Sequence, residues 1–171
     1  MYLGFRNRKG RIMRRIFALV ALVLATGGML GFTAAAASAD GHGAQTFTQT
    51  FKDATDAFVD FVPCRDFQAT ITITYNGVMH YTVNKAGDFW ATGTMTGTAT
   101  AVPLDPVNPS FSGKFTTWFG TSDNQQNGVD HSTFTAHLTG SDGSTIKFHE
   151  TVHLSTSASG MTVSFDKPRC G

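Results

Sequence analysis

From Thr92 to Thr100 every second residue is threonine, and the positions between are Gly93, Met95, Gly97 and Ala99. A repeat of two belongs to an extended strand, whose successive side chains point to opposite faces, and not to the 3.6-residue repeat of an amphipathic helix. The same alternation marks 68–75, 79–84, 88–101, 110–120, 131–140, 144–155 and 161–166, with 46–51 or 57–62 as an eighth strand. Breaks of turn composition separate them at Asn76-Gly77, Lys85-Ala86-Gly87, Ser141-Asp142-Gly143 and Ala158-Ser159-Gly160. Longer connections fall around Pro103, Pro106 and Pro109 and across 121–130. Sequential hairpins of this kind predict an all-β fold, a single antiparallel up-and-down β-barrel of about seven or eight strands, because closure removes the exposed sheet edges. A two-sheet β-sandwich is the alternative.

The chain ahead of these strands reads as a leader. Arg14 and Arg15 precede an apolar run over 16–32, and Ala37-Ser38-Ala39 has the form of a small-residue cleavage site. Residues 1–39 are therefore expected to be a signal peptide, with the mature chain starting at Asp40 and Met13 as an alternative start of translation. An uncleaved membrane anchor and a twin-arginine export signal are the rival readings of the same residues. Six of the 13 Lys and Arg lie in the leader, which leaves seven against 12 Asp and Glu, a net charge of −5. A mildly acidic chain without a basic cluster lacks the electrostatic footprint of a nucleic-acid binder. Residues 40–62 are expected to form an arm, either a strand or a short helix carrying Phe51, Ala54, Phe58 and Phe61 at helical spacing, and 63–171 the barrel domain.

Two cysteines remain, Cys64 and Cys170. In a chain sent to an oxidising compartment they are expected to pair and so join the ends of the domain. The closed loop exceeds a hundred residues, for which chain entropy gives about 4 kcal/mol of stabilisation.

Within 147–154, His149, Glu150 and His153 spell the H-E-x-x-H signature of helical zinc proteases. That chemistry needs a helix, which sets residues four apart on one face near a single zinc. The surrounding residues have strand composition, and on a strand positions four apart stand about 13 Å from each other. The protease reading is set aside. Strand parity instead sends Glu150 inward with Ile146, Phe148, Val152 and Leu154, where desolvation opposes its charged form. His80 is its one conceivable polar partner: a two-residue loop at Asn76-Gly77 would turn His80 inward, whereas a three-residue loop with a bulge at Gly77 keeps both flanking strands apolar on one side and sends His80 out. The second register is favoured. Likewise a loop Ser141-Asp142-Gly143 would oppose His131 and His153, and a shift by one residue would oppose His137 and His149. Solvated histidines on a threonine-rich face account for all four without a metal, and no cofactor is expected.

Alternation also assigns faces. Phe89, Ala91, Gly93, Met95, Gly97 and Ala99 share one side, as do Phe111, Phe115 and Phe119, and Phe134, Ala136 and Leu138. Small residues facing Phe and Met inside a barrel mean either that bulky neighbours fill the space or that it is left for a guest. Three functions follow in order. The first is binding of a small apolar ligand lined by Phe89, Met95, Phe115, Phe148 and Glu150. The second is a structural or surface-interaction role for the exposed threonine face with Trp90 and Trp118. The third is a barrel-type isomerase or cyclase built on Glu150 and His80.

The segments Phe61-Val62-Pro63-Cys64, 73–78, 110–120, 140–144, 148–153 and 164–170 resemble those of uncharacterised secreted proteins common in actinobacteria. The resemblance spans nearly the whole mature chain and implies a secreted, extracellular protein. It implies no catalytic residue, because that family has no assigned activity.

Overall fold

The computed structural model describes residues 43–124 and 126–171, so the expected leader, its cleavage site and the start of the mature chain lie outside the described residues. Seven strands follow one another: β1 (Gln45–Phe61), β2 (Gln68–Val83), β3 (Phe89–Pro103), β4 (Phe111–Asp123), β5 (Asn127–Gly140), β6 (Thr145–Ser157) and β7 (Gly160–Cys170). They form one antiparallel sheet in the order β1-β2-β3-β4-β5-β6-β7. This is the expected up-and-down all-β architecture in a single sheet, not a sandwich. The assigned faces hold throughout: in β3, for example, Ala91 and Gly93 are buried while Trp90, Thr92 and Thr94 are exposed.

Two local expectations are corrected. Asn76-Gly77 is not a turn, because β2 runs unbroken through it and pairs continuously with β3 from Ala69 to Val83. Ile71, Ile73, Tyr75, Met79, Tyr81 and Val83 all keep one parity across the dipeptide, so burial of that face outweighs the turn preference of Asn-Gly. Asn76 instead holds a bulge in β1: the Asp53 backbone N–H donates to its Oδ1 (3.0 Å), and its Nδ2 donates to Asp53 Oδ1 (3.3 Å). The second correction concerns the N-terminal arm. Of its two expected forms, strand or short helix, the arm takes the strand, and residues 45–61 are the first strand of the same sheet and not a separate segment. The register skips from Phe51 to Ala54, and Asp53 takes a left-handed φ of 48°. This bulge shifts the inward set from Phe47, Gln49 and Phe51 to Ala54, Asp56 and Phe58, which produced the three-residue step that imitates a helix.

The sheet curls without closing by hydrogen bonds. Seven flat strands would hold β1 and β7 about 29 Å apart. Yet Cys64, just past β1, and Cys170, at the end of β7, form the expected disulfide with a Cα–Cα distance of 5.9 Å. One core gathers Val62, Ala69, Ala101, Phe111, Leu138 and Ile146 from the first loop and five different strands. An up-and-down sheet with an odd number of strands brings its first and last edges together running the same way. An antiparallel ladder between β1 and β7 is thereby excluded, and the covalent bridge ties the ends instead.

Segment 62–67 crosses that end as a lid. The Val62 N–H donates to Phe67 O (3.1 Å), Phe67 stacks on Phe111, and the Arg65 guanidinium lies 5.4 Å over the Phe111 ring. Curvature is eased where a side chain would obstruct it. A Cβ on Gly97 would run into Thr74 O and lie 2.8 Å from Tyr75 Cα, and one on Gly113 would run into His137 O and lie 2.8 Å from Leu138 Cα. At both positions the neighbouring main chain occupies the place of a side chain.

Replacing both Cys64 and Cys170 by serine releases a 106-residue separation and is expected to cost about 4 kcal/mol, a fall in Tm of roughly 10 °C or more by calorimetry. Gly97→Ala is expected to cost about 1–3 kcal/mol in denaturant melts. The outward Thr98→Ala should leave stability within about 0.5 kcal/mol.

Candidate functional site

The concave face carries every residue that the sequence assigned to a lining. Phe115 is buried, whereas Phe89, Met95, Phe148 and Glu150 are only half-buried although they point inward. Two aromatic strips cross this face. Phe47, Tyr81 and Phe89 run over β1, β2 and β3, with ring centroids 5.0 and 6.3 Å apart. Phe115, Phe134 and Phe148 run over β4, β5 and β6 at 5.8 and 6.1 Å. Opposed side chains on adjacent strands stand about 5 Å apart, so aligned aromatic parity is enough to build such strips.

Bulky neighbours fill part of the room left by small residues. The Phe119 ring occupies the place of a Gly93 side chain, and Met95 Cγ lies 2.8 Å from where a Gly77 Cβ would stand. Packing is densest beside the lid, at Val62, Ala69, Phe111 and Ile146, and loosens towards Phe89, Tyr81 and Leu154 at the other end.

Carboxyl groups line the strands next to the two unpaired edges. On the β1 side the Tyr75 hydroxyl donates to Asp56 Oδ2 at 3.0 Å. Burial first, and then the hydrogen bond and charge of Asp56, push the Tyr75 hydroxyl up to about 12. Asp60, also inward on β1, is 6% exposed and accepts the Phe61 N–H at 2.7 Å. On the β7 side, Glu150 opposes Phe134 and Pro168, and Asp166 opposes Val152, which places both carboxyls on the inner face. Desolvation first, and then the negative charge and hydrogen bonding of Asp166, raise Glu150 to about 7.

The inward direction of Glu150 was legible from alternation. Asp166 and Asp56 were not identified in advance, because the bulge at Asp53 hid the parity of β1 and a register slip between Ser155 and Thr156 hid that of β7. The constellation of Glu150 with His80 does not form. His80 is exposed on the opposite face, its Nδ1 2.9 Å from Thr48 Oγ1. Its outward direction agrees with the favoured parity, reached through a continuous strand and not a loop.

The other four histidines among the described residues, His131, His137, His149 and His153, are also on the convex face. His131 opposes His153 directly, as a three-residue loop at 141–143 requires; His137 opposes Lys147; and His149 opposes Thr135 and Arg169. Nδ1 of His149 lies 3.1 Å from Thr135 Oγ1. The H-E-x-x-H residues thus sit on strand β6 with Glu150 on one face and both histidines on the other. Among the described residues no three His, Cys, Asp or Glu side chains are grouped to hold a metal. Comparison with known protein families, with curated proteins and with solved structures found no match.

The position of Glu150 dictates a pH dependence. Its folded-state pKa lies above the ordinary 4.5, so the folded protein holds the proton that the unfolded chain releases. The stability contributed by the protonated group is complete below about 4.5 and is lost as the pH rises through about 7. Glu150→Gln is expected to flatten this fall. Thermal melts between pH 4.5 and 8 should show the parent losing a few degrees relative to the variant, a modest effect because the group is partly solvated.

Proposed function

We propose that the protein is exported and that its concave face binds one small apolar molecule. The observation that carries this reading is the incomplete burial of inward apolar side chains: Phe89, Met95, Phe134 and Phe148 face the interior yet stay accessible. In a sheet without a second layer, such accessible apolar surface favours a guest that removes it from water, at about 25 cal/mol per Å². Phe89, Met95, Phe115 and Phe148 supply the lining. Glu150 and Asp166 supply a polar end that accepts or donates one hydrogen bond, and the negative charge of Asp166 disfavours a carboxylate-headed guest. A neutral or cationic head, an alcohol or an amine, fits this chemistry.

Export is supported by the leader composition, by the Cys64–Cys170 bridge, which persists in oxidising compartments, and by the resemblance to secreted actinobacterial proteins. No helix among the described residues is long and apolar enough to cross a membrane. A surface-interaction role is the second reading, favoured by Trp90 and Trp118, which are 45% and 40% exposed on the threonine face.

Titration with the neutral fluorophore N-phenyl-1-naphthylamine tests the first reading. One saturable site is expected, weakened about tenfold by Phe148→Ala, since truncating a lining Phe removes about 1–3 kcal/mol. It should be unaffected by Trp118→Ala. Absence of saturation, or sensitivity to Trp118 in place of Phe148, would move the function to the convex face.

A further inference from the structure

The register of β5 and β6 brings together two imidazoles that neither the concave face nor its proposed guest uses. His131 and His153 oppose each other on the convex face, both half-buried, with ring centroids 5.7 Å apart and planes at 81°. Two nitrogens that ligate one ion at about 2.0–2.1 Å stand roughly 3.3 Å apart at a tetrahedral angle. The rings stand edge to face, so ligating one ion requires one ring to turn about its Cβ–Cγ bond and present a nitrogen to its partner.

Aromatic walls hold the pair in place. Trp118 meets His131 edge-on at 5.5 Å, and Phe165 stacks on His153 at 5.4 Å and 23°. Gly120, the residue opposite His131 on β4, has no side chain, and the Trp118 ring leans over it: a Cβ there would lie 3.2 Å from the indole. These contacts fix where the two rings stand, and ligation adds only the turn of one ring. The Lys167 ammonium lies 4.9 Å over the far aromatic neighbour, Phe165.

We infer that His131 and His153 form a two-histidine site for a divalent first-row transition metal, with water completing the coordination. Imidazole ligands select copper(II), nickel(II) and zinc(II) over calcium and magnesium, and copper(II) binds most tightly in that series. His137 and His149 do not contribute, because their cross-strand neighbours are Lys114, Lys147, Thr135 and Arg169.

Copper(II) chloride titrated into the disulfide-bonded protein, followed by tryptophan fluorescence, tests this site, since the ion would bind beside Trp118. The background carries His42→Ala, which removes the Asp40-Gly41-His42 amino-terminal chelate that cleavage before Asp40 would create. It also carries Trp90→Phe, leaving Trp118 as the reporter. One equivalent should quench the fluorescence. His131→Ala and His153→Ala should each weaken binding at least about tenfold, and His137→Ala and His149→Ala should leave it unchanged. His153→Phe keeps the aromatic row and should abolish quenching while the melting temperature is retained, which separates ligation from folding. Quenching that survives in the His131→Ala/His153→Ala double variant, equal loss in the His149→Ala variant, or no quenching in the background protein would overturn the assignment.

Discussion

A single β-sheet has no second layer against which to bury its apolar face, and this requirement organises the whole molecule. The strands are 11–17 residues long, so the face to be covered is large. The sheet covers it by curling, and curling is possible because glycines stand where the backbones crowd, at Gly97 and Gly113. The lid at 62–67 and the bridge from Cys64 to Cys170 then fix the curl at one end, where Phe111 and Ile146 are 2% exposed. Towards the other end Phe89, Tyr81 and Leu154 are only half-buried.

The unpaired edges explain why charge enters the interior. Exposed strand edges invite pairing with other chains, and inward-pointing charges, bulges and proline are the means by which natural sheets prevent it. β1 carries the bulge at Asp53 with Asp56 and Asp60 inward; β7 carries Asp166 inward, Pro168 on the edge strand itself, and Lys167 and Arg169 outward. Edge protection and a polar end for a guest are thus two consequences of one arrangement. The carboxyls that keep the edges apart are also the polar groups that face the apolar strips.

Much of this architecture was legible in the alternation of the chain. Five of the seven strands, the direction of Glu150, the facing of Phe89, Met95, Phe115 and Phe148, and the pairing of the two cysteines all follow from period two, turn glycines and redox context. Two positions misled. Asn76-Gly77 has the strongest local turn preference in the chain, but a local preference of this size yields to a buried face that continues through it. The bulge at Asp53 displaced the inward set by one residue and left strand and short helix both open for the arm.

By itself, the sequence determined most of the strand content, which side chains share a face within β3 to β6 and the covalent link, because these depend on neighbours two residues apart or on two unique thiols. Only the tertiary structure decided which residues meet across strands: Glu150 with Asp166, Tyr75 with Asp56, and His131 with His153. It also decided that seven strands curl without a closing ladder. The reason is register. A slip of one residue leaves the composition of every strand unchanged and reverses every face, so the partners of a side chain are set by loop geometry, bulges and the summed burial of the whole sheet.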